Sequence, residues 1–163
     1  MTTKRLTPSL RTVRPSGERP SWDEYFVNML PAVAARSTCL SRKVGAILTL
    51  ENRIIGTGYN GPLPGYPHCD TTGCIRIDRN IPSGERLDIC RAVHAERNAI
   101  DYSTVKTAGA TLYCTCSPCK FCAERIVTAQ ISRIVVLERY QDDLSTEILR
   151  YSGISLEYFE FEA

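Results

Sequence analysis

The sequence predicts an α/β protein, in which a mixed five-stranded sheet carries helices on its faces. Two observations support this class: short runs rich in β-branched residues alternate along the chain with segments whose apolar residues recur at helical spacing. The 163 residues are 43% hydrophobic and 23% charged, which is typical of a single globular domain. No run approaches the roughly 18 apolar residues of a membrane-spanning helix.

The first predicted helix covers 22–36, where Ser21 and Glu24 form a capping box at its start and Pro31 predicts a kink. Two strands follow as a hairpin that turns at Glu51-Asn52. Ser117-Pro118 predicts a later helix start, with a cap followed by proline in the first turn. The hairpin strands cover 43–50 and 53–58, and the later elements are helix 94–103, strand 110–114, helix 117–129, strand 133–137, helix 144–151 and strand 155–161.

Two stretches of the sequence show neither the helical nor the strand pattern of apolar residues. Residues 1–20 contain three prolines and carry a net charge of +4, which predicts a flexible arm before a domain of 21–163; an organelle-targeting peptide is the alternative. Residues 59–91 are rich in Gly, Pro, Asp and Cys, and we expect a loop that something other than apolar burial holds in place. Residues 21–163 carry a net charge of −2, which disfavours a polynucleotide partner.

The strongest chemical signal is a histidine-x-glutamate motif followed by a proline-cysteine-x-x-cysteine motif. Cys119 and Cys122 are three residues apart at a predicted helix start, so both thiols can face one point, and His94 can supply a third ligand. Three protein ligands leave the fourth position of a zinc ion to water, as in catalytic sites. Glu96 would then lie beside that water, and this pattern is the signature of zinc deaminases.

Other interpretations of these cysteines are less well supported. A redox pair would leave His94 and Glu96 without a role. A structural zinc site would need a fourth ligand, and Cys114 or Cys116 would have to supply it.

Four further cysteines lie in or beside the irregular stretch. Four thiolates form a closed tetrahedral zinc site, which would order a loop that cannot fold by burial. The alternatives are four free buried thiols, or a site in which His68 replaces one cysteine. The four residues are Cys39, Cys69, Cys74 and Cys90.

At residues 22–160 the chain resembles the deoxycytidylate (dCMP) deaminases, a branch of the cytidine deaminase superfamily. The branch-specific features are GYNG and the cysteine-bearing insertion. The resemblance implies a three-layer α/β/α cytidine deaminase-like fold, and zinc-dependent hydrolysis of dCMP to dUMP and ammonia for thymidylate synthesis. The motifs that carry it are RSTC at 36–39, KVGA at 43–46, GYNG at 58–61, HCD at 68–70, PSGER at 82–86, HAERNAI at 94–100 and TLYCTCSPCKFCA at 111–123.

The resemblance also implies roles for individual residues. His94, Cys119 and Cys122 would hold the catalytic zinc, and Glu96 would transfer protons. For the substrate, the implied contacts are Asn60 with the deoxyribose and Ala46 with the base. The backbone carbonyl of Ser117, just before Pro118, is placed to accept a hydrogen bond from the amine. Tyr59, Asn60 and Gly61 would couple substrate and effector sites. Some relatives bind a second zinc through two cysteines, a histidine and a glutamate; Cys39 and Cys69 match the cysteines, and Cys74 and Cys90 would have to replace the other two ligands.

The same resemblance implies a homohexamer that dCTP activates, with Mg²⁺, and dTTP inhibits. The chain lacks the apolar segment of a secretory signal at its start, so we expect a cytoplasmic enzyme with no membrane partner and no nucleic-acid partner. Arg42 and Lys43 are candidates for phosphate binding, and the alternative for either one is an ordinary solvated surface position. Two other functions remain open: deamination of a nucleic-acid base such as tRNA adenosine, and a non-catalytic zinc-binding interaction module.

Overall fold

The computed structural model describes residues 19–82 and 84–161, so the predicted arm lies almost wholly outside the described residues. The helices and strands confirm the predicted order of elements. In chain order they are α1 (Trp22–Ala35), β1 (Gly45–Leu50), β2 (Arg53–Tyr59), β3 (Gly61–Pro62), α2 (Cys69–Thr72), α3 (Ile75–Asp78), a 3₁₀ turn (Leu87–Ile89), β4 (Ala92–Val93), α4 (Ala95–Asp101), β5 (Thr111–Cys116), α5 (Lys120–Thr128), β6 (Arg133–Glu138), α6 (Asp143–Tyr151) and β7 (Ser155–Tyr158).

The main sheet has five strands in the order β2-β1-β5-β6-β7. β1 runs antiparallel to both β2 and β5, whereas β5, β6 and β7 are parallel, which confirms the predicted mixed sheet. The hairpin turns at Glu51 and Asn52, whose φ angles of 50° and 59° are both positive. Two residues with positive φ form the turn whose twist matches a two-residue hairpin.

Helices cover both faces of this sheet, which gives three layers. α1 packs on one face, where Phe26 and Leu30 contact Ile47 and Tyr113. The helices α4, α5 and α6 pack on the other face against the alternate strand residues, such as Leu48. The strand β1 is therefore buried from Gly45 to Thr49, because both of its faces are covered.

The helix start capped by Ser21 is confirmed. The Ser21 hydroxyl accepts a hydrogen bond from the Glu24 backbone N–H at 3.2 Å, and Pro31 lies within the helix that follows. The helix is fixed to the sheet by Arg133, which donates two hydrogen bonds of 2.8 Å to Asp23. These bonds from Arg133 lower the pKa of Asp23, although partial burial opposes them.

The structure differs from the predictions in two places. The segment 59–91 contains β3, two one-turn helices and the 3₁₀ turn, which are too short to produce a sequence period. α5 begins at Lys120 with Cys119 at the cap position, and Ser117 is not its cap. The reason is that the chain stays extended beyond β5, where the Ser117 N–H donates to the Glu138 carbonyl at 3.0 Å.

Within residues 19–82 and 84–161, no helix is both long enough and apolar enough to cross a lipid bilayer.

Candidate metal and catalytic site

Three side chains from two helix starts meet at one point. His94 is the residue before α4, Cys119 is the residue before α5, and Cys122 lies in the first turn of α5. The His94 Nδ1 atom lies 3.4 Å from the Cys119 Sγ atom and 3.3 Å from the Cys122 Sγ atom. Among the described residues this is the one group of three such ligands whose donor atoms all lie within 4.8 Å of one another.

Polar contacts from α6 and its preceding loop fix the cysteine-bearing turn. The Asp142 carboxylate accepts a hydrogen bond from the Lys120 N–H at 2.8 Å. It thereby pairs one of the N–H groups at the start of α5 that have no partner within the helix. The Ser145 hydroxyl donates to the Pro118 carbonyl at 2.7 Å. The Ser117 hydroxyl bonds to the Tyr140 backbone, accepting from its N–H at 2.6 Å and donating to its carbonyl at 2.9 Å.

A close approach of two backbones positions the histidine and the glutamate. A Cβ atom at Gly58 would lie 2.1 Å from the Ala95 carbonyl oxygen and 2.4 Å from the Ala99 nitrogen, so only glycine lets β2 lie this close to α4. The Asn98 side chain of α4 also donates to the Tyr59 carbonyl at 2.8 Å. The start of α4, which carries His94 and Glu96, is thereby fixed by the end of β2.

The electrostatics of the group favour metal binding. Hydrogen bonds from the Cys122 thiol and from His94 lower the pKa of Cys119, although burial opposes them. A nitrogen donor and two sulfur donors, one readily ionised, form a ligand set that zinc prefers, and three ligands leave a fourth position open. The donor chemistry of these three residues therefore fits a catalytic zinc ion.

Glu96 lies in the first turn of α4 and is only 3% exposed. Burial raises the pKa of its carboxyl group, and the nearby His94 charge opposes that effect. The residue is not one of the three clustered ligands. A buried carboxyl group with a raised pKa beside a metal site can accept and return a proton near neutral pH.

The pocket above this group is lined by His94, Glu96 and Cys119 together with Asn60 and Ser117. The Asn60 amide also holds the adjacent chain, accepting from the Val44 N–H and donating to the Arg42 carbonyl, both at 2.8 Å. No donor within 19–82 or 84–161 bonds to the Ser117 carbonyl oxygen, which leaves it free for a ligand.

The other predicted substrate and effector residues lie around this pocket without lining it. Ala46 is fully buried in the core beneath, and Val44 lines the wall instead. Tyr59 ends β2, and the Arg36 guanidinium lies 5.7 Å from the centroid of its ring. Gly61 pairs with Val93 in the small sheet of β3 and β4.

The four remaining predicted ligands, Cys39, Cys69, Cys74 and Cys90, lie close enough to interact. Burial raises the pKa of the Cys69 thiol, and the other three thiols raise it further. They form no group of donor atoms within 4.8 Å of one another among the described residues, so a bound metal would draw them closer. The ring of His68 contacts the Thr38 hydroxyl at 2.8 Å.

The pocket also contains side chains that the sequence did not mark as functional, among them Arg76 and Tyr140. Arg76 lies between Ile75 and Ile77 in a short helix without a recognisable period, so no sequence pattern marked it. Of the two phosphate-binding candidates, Arg42 lines the pocket and pairs with Glu138, whereas Lys43 is exposed.

Comparisons with known proteins identify the family of this chain. A family model described as "Cytidine and deoxycytidylate deaminase zinc-binding region" matches residues 20–138. The deoxycytidylate deaminase of Schizosaccharomyces pombe is 37% identical over 150 residues, which are 90% of this chain and 47% of that protein. The deoxycytidylate deaminase of Mycobacterium phage D29 is 42% identical over 123 residues, which are 72% of this chain and 94% of that protein.

Among solved structures, the dCMP deaminase of cyanophage S-TIM5, in complex with dCMP and dUMP, has the same fold. Its TM-score is 0.71 at 24% identity, and the match covers 87% of this chain and 99% of that chain. The chain spans about half the length of the Schizosaccharomyces pombe relative.

Proposed function

This chain belongs to the cytidine and deoxycytidylate deaminase family, and from that premise we propose that it hydrolyses dCMP to dUMP and ammonia with a zinc ion. The observation that carries the proposal is the convergence of His94, Cys119 and Cys122 beside the buried carboxyl group of Glu96. A structural zinc module has no use for a carboxyl group beside an open metal position. Zinc held by these three residues would activate a water molecule for attack on C4 of cytosine.

Glu96 performs the proton transfers of this reaction. Its carboxylate accepts the proton of the attacking water and delivers it to N3 of the ring. The same group then takes the second proton from the oxygen newly bonded to C4 and donates it to the departing amine, so that the C4–N bond breaks, ammonia leaves as a neutral molecule and the C4 carbonyl of uracil forms. The burial that raises the pKa of Glu96 suits this exchange, because it brings the pKa closer to neutrality.

The remaining pocket residues orient the nucleotide. The carbonyl of Ser117 accepts a hydrogen bond from the amine of the base, and Asn60 contacts the deoxyribose through the amide hydrogen and lone pair that its backbone contacts leave unused. Ala46 is fully buried beneath the pocket, so the predicted contact requires the base to reach into the core there.

The reaction supplies dUMP for thymidylate synthesis, and we place the enzyme in the cytoplasm. All eight cysteines are free thiols, which is the expected state in a reducing compartment. The net charge of −2 outside the arm disfavours a nucleic-acid substrate.

We further propose a homohexamer with an effector site at Tyr59, Asn60 and Gly61, which dCTP with Mg²⁺ activates and dTTP inhibits. The rate should be sigmoidal in dCMP, and dCTP should lower the half-saturating concentration by about 5-fold or more, as a typical allosteric coupling does. Initial rates with and without dCTP and dTTP measure this coupling. Hyperbolic kinetics that ignore both nucleotides would exclude the regulation while leaving the deaminase activity in place.

A second zinc ion bound by Cys39, Cys69, Cys74 and Cys90 would explain how 59–91 is ordered. The segment has few apolar residues to bury, and zinc binding to thiolates supplies folding free energy directly. Changing Cys74 to serine should therefore remove about one of two zinc ions per chain and make 59–91 sensitive to protease. Elemental analysis and limited proteolysis measure both effects.

The matched control for this change is Cys114→Ala, which removes a fully buried thiol outside both groups of cysteines. It should keep both zinc ions. A wild-type protein that holds a single zinc in zinc-replete buffer would refute the second site.

The proposed function is tested by ammonia release from dCMP, dCTP, CMP and deoxycytidine, and from a tRNA and a single-stranded DNA assayed beside them. We expect dCMP to give the highest kcat/KM. Preference for a tRNA or DNA base over dCMP would support the alternative enzyme, and no release from any of these substrates would support the interaction module.

A further inference from the structure

Arg76 is a buried cation in the wall of the proposed active-site pocket. It lies in α3, within the cysteine-bearing segment, and its side chain lines the same pocket as His94 and Glu96. The residue is 9% exposed, whereas Arg79, three residues later on the same segment, is exposed to solvent. Arginine is almost never buried to this extent unless it is paired.

The described partners of Arg76 do not account for its burial. One terminal nitrogen, Nη2, donates to the Pro82 carbonyl at 2.9 Å. Its Nε atom is buried and has no hydrogen-bond partner, and no carboxylate in 19–82 or 84–161 forms an ion pair with it. An unpaired buried guanidinium is costly, so a bound anion would relieve a defect of the free protein.

The other arginine of the pocket is already paired. Arg42 also lines the wall, but its guanidinium contacts the Glu138 carboxylate. Tyr140 lies near Arg76, whose positive charge opposes the rise that burial causes in the pKa of the phenol. The Tyr140 hydroxyl donates to the Gly84 carbonyl at 3.1 Å, so it is held at the same end of the pocket. Arg76 is therefore the charge at this end that still lacks an anion.

We propose that Arg76 determines specificity for the nucleotide over the nucleoside by donating guanidinium N–H groups to an oxygen of the substrate's phosphate. This inference rests on the proposed deamination of dCMP. A guanidinium presents donors in a fixed fork that matches phosphate, and both groups are charged, so the bond is among the stronger hydrogen bonds in proteins. The contact also neutralises the buried cation, so it favours the phosphorylated substrate specifically.

The test compares kcat/KM for dCMP and for deoxycytidine in wild type, Arg76→Gln, Arg76→Lys and Arg79→Gln. Loss of a buried charged contact should lower the Arg76→Gln value for dCMP by about 30-fold or more, mainly through KM. The value for deoxycytidine should stay within about 2-fold of wild type, because that substrate has no phosphate to contact. Arg79→Gln, the matched exposed control, should change neither value.

A purely structural role for Arg76 gives a different result. If the bond to Pro82 only holds the segment in place, Arg76→Gln will lower the values for dCMP and deoxycytidine equally, and this would overturn the proposal. If Arg76→Gln does not fold, Arg76→Lys carries the test: it keeps the charge but lacks the planar set of guanidinium donors, and the loss should again be confined to dCMP.

Equilibrium binding separates this inference from the proposed function. Wild-type protein should bind dUMP more tightly than deoxyuridine, and Arg76→Gln should abolish that difference, whether or not turnover is observed. Inorganic phosphate should compete with dUMP in the wild type only, which distinguishes a free phosphate ion from the phosphate of the nucleotide. Equal affinity of the wild type for dUMP and deoxyuridine would overturn the role of Arg76. Absence of ammonia release from dCMP would instead overturn the proposed function.

Discussion

Replacing Glu96 by alanine should leave the catalytic zinc content at the wild-type level and lower kcat for dCMP by about 10⁴-fold or more. Loss of one general acid–base group typically costs between about 10² and 10⁴. We expect a loss at the upper end of this range because a single carboxyl group takes protons from the water and delivers them to N3 and to the amine. Elemental analysis and initial rates on the same preparation measure the two effects.

The isosteric variant Glu96→Gln serves as the control for packing. It keeps the shape of the side chain and removes the charge from a site where burial raises the pKa of the carboxyl group. Its thermal unfolding temperature should equal or exceed that of wild type, because no charge is then buried. Activity of either variant within about tenfold of wild type would contradict the role of Glu96.

Replacing Gly58 by alanine should damage both the fold and the site. The new Cβ would lie 2.1 Å from the Ala95 carbonyl oxygen, so β2 and α4 must separate. Overpacking of this kind costs about 3 kcal/mol of the free energy of unfolding, and a shift of about 1 Å at a catalytic group can cost about 10²-fold in rate. Denaturant unfolding and kcat for dCMP measure these losses.

Gly61→Ala offers a matched control from the same GYNG motif. A Cβ at Gly61 meets only the ring of Tyr59, at 3.9 Å, which is an ordinary contact. This variant should unfold at the denaturant concentration of wild type. If Gly58→Ala is as stable as Gly61→Ala, then α4 is not held by its approach to β2.

The helices and strands whose apolar residues recur at regular spacing could be predicted from the sequence. The α1 start at Ser21 follows from local capping chemistry, and the sheet follows from strands that alternate with helices. The small sheet of β3 and β4 could not be predicted, because two-residue strands carry no period. The start of α5 was predicted at Ser117, but bonds to the Glu138 and Tyr140 backbones, which are distant in sequence, keep that residue extended.

The convergence of His94, Cys119 and Cys122 could be predicted, because spacing alone puts both thiols at a helix start. The burial of Arg76 without an ionic partner among the described residues could not, since it is a property of the tertiary structure. The role of Gly58 could not be predicted either. The GYNG motif is only a weak turn signal in the sequence, and the close contact between β2 and α4 at Gly58 is seen only in the structure.

We expect a zinc ion and Glu96 together to give this chain its dCMP deaminase activity. The most direct measurement is the formation of dUMP and ammonia from dCMP by zinc-loaded protein, beside Glu96→Gln prepared in the same way. We expect equimolar dUMP and ammonia from the wild type, loss of activity on zinc removal with recovery on zinc addition, and no turnover by zinc-loaded Glu96→Gln. Equal rates for the two proteins, or a wild-type rate that is unchanged when zinc is removed, would contradict the account.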